Sequence, residues 1–121
     1  KSGQSHADEK NVSGGASTSD ATWTDVASYA INSSEAVGID CHVVGKKSDN
    51  TCNAYKAHCL AKNVAGTASI VSAQNIDPYH EDNAGYDVQF VVSGANVKVQ
   101  VKGAASESVN WSCSLKATRC G

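Results

Sequence analysis

The chain has 121 residues, 40% hydrophobic and 18% charged, with a net charge of −2 at pH 7. That length suits one domain. The scattered lysines exclude the basic stripe of a nucleic-acid-binding surface, and no apolar run approaches the ~20 residues of a helical membrane span. Gly, Ser, Ala, Val and Asn are plentiful, Met is absent and Pro occurs once, which is the profile of a surface-facing β protein. The first residue is Lys1 instead of Met, as expected of a processed protein or a piece of a longer one.

Residues 1–20 are polar and rich in Ser and Gly, with almost nothing to bury, and read as a flexible arm preceding a domain over 21–121. Residues 21–31 fit two periods. Trp23, Val26, Ala27, Ala30 and Ile31 make a helical stripe, whereas Ala27, Tyr29 and Ile31 alternate as in a strand. Because everything downstream is strand-like, strand from about Asp25 is the preferred reading.

Residues 36–45 form a strand with Val37, Ile39, Cys41 and Val43 inward and Asp40, His42 and Val44 outward. A charged turn follows over 46–53, then a return strand over 54–62 with Tyr55, Ala57, Cys59 and Ala61 on one face. A loop centred near Asn50 would oppose Cys41 to Cys59 on the core side and His42 to His58 on the solvent side. Residues 67–73 read as a short strand and 74–85, with Asp77-Pro78, as the longest irregular stretch inside the domain. Residues 86–93 alternate Tyr86, Val88, Phe90 and Val92 inward.

Two further strands close the chain. Val97, Val99 and Val101 alternate with polar residues over 96–102, and Val109, Trp111, Cys113, Leu115 and Ala117 do so over 109–118. Read together they make an antiparallel hairpin with its apolar side on a core. The expected fold is all-β, a small antiparallel β-sandwich, jelly-roll-like, of about seven strands. Its core includes Trp111, Val99, Val101, Phe90, Ile39 and Tyr55.

Five cysteines in so short a chain favour an oxidising, extracellular setting. Cys41, Cys52, Cys59, Cys113 and Cys120 contain no C-x-x-C pair of the kind zinc sites show, so disulfide stabilisation is the expectation, with one thiol left over. Cys41–Cys59 and Cys41–Cys113 are rival pairings, the second if the C-terminal strand lies beside strand 36–45. Cys52 and Cys120, both off the core face, could pair and pin the C-terminus.

No catalytic signature stands out. The core-facing cysteines lack the exposure a nucleophile needs. There is no G-x-S-x-G and no phosphate loop. The carboxylates of Asp77–Asp87 fit no calcium-loop template, and the His42/His58 pair lacks a third ligand. Neither a metal nor a cofactor is assigned, and the chain reads as a non-enzyme. Contact is expected at exposed turns and loops, through Lys46, Asp49, Tyr79, His80 and Glu81.

Three pieces carry a resemblance: AVGIDCHVVG with AYKAHCLAKN after the polar turn, the Gly66-Thr67 turn leading into SIV, and 86–92 followed by VKVQVKGAASESVNWSCSL. Together, over about residues 22–118, they resemble a β-rich domain of phage and viral tail-fibre or appendage structural proteins. The departure is Cys41, Cys59 and Cys113, where that family has small or aliphatic residues. The resemblance implies a non-enzymatic virion structural or surface protein, serving a tail fibre, an appendage or capsid decoration. Such domains are usually oligomeric and often trimeric. The implied partners are copies of the chain, other virion proteins and a host surface receptor or glycan, outside the cell. Alternatives from other classes are a subunit of an extracellular filament or pilus and a small secreted binding module.

Overall fold

The computed structural model describes residues 8–121, and every described element is a β-strand. They are β1 (Asp8–Thr18), β2 (Thr24–Ala30), β3 (Glu35–Lys46), β4 (Cys52–Val64), β5 (Thr67–Ile70), β6 (Asn75–Glu81), β7 (Asp87–Ser93), β8 (Asn96–Lys102) and β9 (Val109–Cys120). A six-stranded sheet runs β1-β9-β3-β4, with β5 and β6 sharing the far edge of β4; a three-stranded sheet runs β2-β8-β7. Every pairing is antiparallel. The two sheets close on one core. The split into six and three differs from the jelly-roll-like layout expected.

Nine strands replace the expected seven because two polar stretches are strands. Residues 8–18, read as part of a flexible arm, form β1 along β9; residues 1–7 of that arm lie outside the described residues. β1 has little apolar area of its own, but Val12, Gly14, Ala16 and Thr18 face inward while Glu9, Asn11, Ser13, Gly15 and Ser17 face out. Its backbone groups are satisfied by the β9 ladder, so β1 needs no apolar run to be held. Residues 74–85, read as irregular, contain β6, which pairs with β4 over Asn53–His58.

The C-terminal hairpin is not formed. β8 lies in the small sheet between β2 and β7, and β9 lies in the large sheet between β1 and β3. The stretch 103–108 therefore crosses from one sheet to the other. Alternation marks which side of each strand is apolar, and both sides do face the core. It cannot tell two neighbours in one sheet from two strands facing each other across a sandwich.

Trp111, Val99, Val101, Phe90, Ile39 and Tyr55 are all buried. Val92, set inward by the alternation, is 40% exposed near the end of β7, an edge strand with a neighbour on one side only. Trp111 is the hub. Its indole N–H donates to Thr18 Oγ1 at 3.0 Å, and its ring meets Tyr55 at 6.4 Å and Tyr86, edge-on, at 5.8 Å between centroids. Across the ladder it faces Gly45, where an added Cβ would lie 2.5–2.9 Å from the indole ring. Gly14 makes a second close approach, its missing Cβ pointing into the backbone carbonyl of Val26 in the other sheet.

The inward row of β4 begins and ends with buried asparagines. The Asn53 amide donates to Tyr55 Oη at 2.9 Å and to the Asn83 carbonyl at 2.8 Å, and its oxygen accepts the Asn83 N–H. The Asn63 amide donates to the Ile31 carbonyl at 2.7 Å, and its oxygen accepts the Gly66 N–H at 2.9 Å. Each closes a loop that has no ladder of its own. Glu107 ties three more segments together. It accepts hydrogen bonds from the Tyr86 hydroxyl and the Asn83 amide and pairs with the Lys47 ammonium at 3.4 Å.

Register overturns two of the expected disulfide pairings, Cys41–Cys59 and Cys52–Cys120. β3 and β4 oppose Cys41 to Ala57 and Ile39 to Cys59, two residues off the pairing of a symmetric hairpin centred on Asn50. Cys52 faces Lys46 and Cys120 faces Ala36, at opposite ends of β3. At ~3.3 Å per residue that is roughly 33 Å, far beyond the reach of a disulfide. All five cysteines are free thiols. Cys41 and Cys113 do sit side by side, because β9 lies against β3. A hydrogen bond with Cys113, and burial, push the Cys41 thiol up; burial pushes Cys59 up to about 11. Cys41 and Cys59 therefore stay protonated at neutral pH and pack as small apolar groups.

Two outcomes are expected. Gly45→Ala and Gly14→Ala each lower stability by about 1–3 kcal/mol through overpacking, read as a lower urea midpoint. Gly38→Ala, with nothing within 4 Å of the new methyl, leaves it unchanged within about 0.5 kcal/mol; equal losses at all three positions would sink the close-packing account. For Glu107, the Tyr86 hydrogen bond first, and Lys47, hold the carboxyl below its ordinary 4.5. Its stabilisation is thus present above 4.5 and is lost as pH falls through the lowered value. The stability gap between wild type and Glu107→Gln should be widest near neutrality and shrink in acid; a gap constant across that range would contradict the assignment.

Candidate functional site on the large sheet

The outward positions of the large sheet fall into rows set by register. One row runs Ser13, Ser114, His42, Lys56, Asp77. The next runs Asn11, Lys116, Asp40, His58, Asn75. At ~4.8 Å per strand each row is roughly 19 Å wide. Period-two alternation supplies the polarity, since the apolar half of β3, β4 and β9 is consumed by the core.

β6 gives this face relief. Its pairing with β4 shifts between Ala54 and Lys56, where three steps of β6 (Asp77 to His80) match two of β4. The extra residue is a bulge at Pro78-Tyr79. Pro78 has no N–H to give a ladder, and an edge strand is where a proline can stand. The bulge brings Tyr79 over the sheet. Its hydroxyl is hydrogen-bonded to the His42 imidazole, the two rings lie 5.6 Å apart at 44°, and Lys56 Nζ is 5.9 Å from the Tyr79 centroid. Tyr79 remains 49% exposed. Beside it is an open depression of about 340 Å³ lined by Asp40, His42, Lys56, His58, Ser114 and Lys116. Imidazoles, ammonium groups, a carboxylate and a hydroxyl thus line a depression beside one exposed aromatic ring, which itself meets His42 and Lys56.

The expected contact residues are distributed differently from the loop picture. Tyr79, His80 and Glu81 are exposed on β6. Lys46 ends β3 and Asp49 lies in the β3–β4 connection. The Lys46 ammonium reaches Asn50 Oδ1 at 3.3 Å, and the Asp49 carboxyl, lowered by the Thr51 N–H it accepts, closes the turn. His42 and His58 do not oppose each other; their cross-strand partners are Lys56 and Asp40. The carboxylates of the 77–87 stretch are spread over β6, the following loop and the start of β7. One grouping was not anticipated. Cys52, His80 and Asp82 converge, with their ligand atoms all within 4.8 Å of one another. The usable signal was His80-x-Asp82, two residues apart and hence on one strand face, but it is visible only once 75–81 is read as a strand. Asp40, Lys56, Ser114 and Lys116 were likewise not singled out. Their alternation was plain, yet register alone places them together.

Among the described residues no helix is long and apolar enough to cross a membrane. No protein-family model matches the chain, and no curated protein matches it in sequence. Solved structures are similar in fold. The tailspike protein gp49 of Acinetobacter baumannii bacteriophage Fri1, a capsular polysaccharide depolymerase, superposes over 96% of this chain with a TM-score of 0.50 at 10% identity. The tailspike proteins of Acinetobacter phage vB_ApiP_P1 (TM-score 0.45, 14% identity, 91% of this chain) and of Acinetobacter baumannii phage AM24 (0.38, 11%, 88%) are also similar. The chain spans only 18%, 21% and 26% of the lengths of these three proteins. The likeness to the Fri1 tailspike shows a fold shared with one segment of it.

Proposed function

We propose that this chain is a non-catalytic β-sandwich domain of a phage tail appendage, displayed on the virion surface, that contacts a host-surface saccharide through the outer face of its large sheet. The observation that carries the reading is the exposed Tyr79, held by a bulge over His42 and Lys56 on an otherwise polar sheet face. A sugar offers C–H faces that pack on an aromatic ring and hydroxyls that both donate and accept. The Asp40, His58, Ser114 and Lys116 side chains supply the complementary groups. Layout of nearly the whole chain like one segment of a tailspike supports placing it in a tail protein. Contact without turnover fits a depression lined by one carboxylate, Asp40, since glycoside hydrolysis commonly uses a pair. Self-association, with a trimer as the arrangement of the appendage class, belongs to the same reading.

Binding of capsular polysaccharide fragments, followed by calorimetry or surface plasmon resonance, tests it. Tyr79→Ala should weaken binding about tenfold or more, ~1.4 kcal/mol. His42→Ala should weaken it less, and neither should move the thermal midpoint by more than a degree or two, since both side chains sit on the surface. Equal affinity in wild type and Tyr79→Ala would remove this face from the proposal, and depolymerisation of the polysaccharide by the purified chain would overturn the non-catalytic reading. Native mass should give an oligomer that survives reduction; a monomer at all concentrations would favour a secreted binding module.

A further inference from the structure

Where β4 begins and β6 ends, three side chains of different ligand chemistry meet. Cys52 opens β4, and His80 and Asp82 flank the last residue of β6 on its outward side. We propose that Cys52, His80 and Asp82 form a surface site for a zinc-class divalent cation, which fastens the end of β6 to the start of β4. The inference is independent of the saccharide reading and goes beyond it.

The arrangement is already largely ordered. Asp82 is docked on the Cys52 backbone from both directions: its Oδ2 accepts the Cys52 N–H at 2.9 Å, and its own N–H donates to the Cys52 carbonyl at 3.2 Å. Its other carboxylate oxygen, Oδ1, is 3.0 Å from His80 Nε2. The ladder continues one step past Asn53–Glu81 and puts the Cys52 side chain on the same face as both. His80 on β6 and Asp82 just past its end are two residues apart, and Cys52 lies across from Asp82. That geometry delivers three donors to one point. Tetrahedral zinc, with bonds of ~2.0–2.3 Å, needs its ligands roughly 3.3–3.7 Å apart. Donor atoms within 4.8 Å come into that range by small side-chain rotations, with the metal taking the place of the His80–Asp82 hydrogen bond and the neutral imidazole carrying its proton on Nδ1. His80 and Asp82 are 54% and 41% exposed, so water can fill the fourth position.

The donor set selects the ion. One thiol, one imidazole and one carboxylate suit zinc and its neighbours and disfavour calcium or magnesium, which want oxygen ligands throughout. The thiol must give up its proton to the solvent as it binds. The physical consequence lies in β6. This strand has its neighbour on one side only and carries the Pro78-Tyr79 bulge; a cation at its end ties it across two strands.

Cobalt(II), a spectroscopic stand-in for zinc, tests the assignment on the full chain with its thiols kept reduced. Titration should saturate at a single ion per chain with a near-ultraviolet thiolate-to-cobalt band, and zinc should displace it. Cys52→Ser should abolish the band, and His80→Ala and Asp82→Asn should each weaken cobalt and zinc binding about tenfold or more. Cys120→Ser, which removes the other cysteine outside the core, should change nothing. Far-ultraviolet dichroism checks that each variant is folded, and the histidine and aspartate variants keep the test decisive should Cys52→Ser misfold. Binding without a thiolate band, a band that survives Cys52→Ser, or affinities unchanged in both other variants would overturn the site.

Discussion

The packing of Trp111 on Gly45 is the contact on which most of the architecture leans. A large ring opposite a residue with no side chain lies flat across the neighbouring strand instead of standing off it. From there the indole N–H reaches Thr18 at the end of β1, one flank meets Tyr55 of β4, and an edge meets Tyr86 at the entry to β7. One side chain thus gathers β1, β3, β4 and the small sheet. Gly14, pressed against the Val26 carbonyl, holds the sheets close at a second point. With three Val in β8 filling the middle, the core needs neither a helix nor a disulfide to close.

Polar groups finish what the apolar core begins. Asn53 and Asn63 stand at the two ends of the inward row of β4 and each satisfies backbone groups of a loop that would otherwise be orphaned. Glu107 does the same from the crossing stretch 103–108, holding Tyr86, Asn83 and Lys47. These bonds spare the outer face of the large sheet. Residues there are not needed for stability, and two histidines, two lysines and two carboxylates can stand in rows on a rigid support. The β6 bulge then tilts one tyrosine over those rows. The same edge strand brings His80 and Asp82 to Cys52, so a single irregular element shapes both features of the surface.

Alternation by itself determined a good deal. It set the all-β class, the strand limits of β3, β4, β8 and β9 within a few residues, and the inward set of Val37, Ile39, Cys41, Tyr55, Phe90, Val99 and Trp111, because a two-residue period has one apolar side wherever one side is buried. It also determined which residues face solvent. Tertiary structure alone decided who stands beside whom. Which sheet each strand joins, the two-residue offset in register that separates Cys41 from Cys59, and the length of β3 that separates Cys52 from Cys120 all depend on partners distant in the chain. β1 and β6 were illegible for the same reason: they are polar strands held by the ladders of β9 and β4, not by side chains of their own. The candidate site is made of just these relations, rows across strands and a bulge in an edge, so its residues were visible in the sequence and their grouping was not.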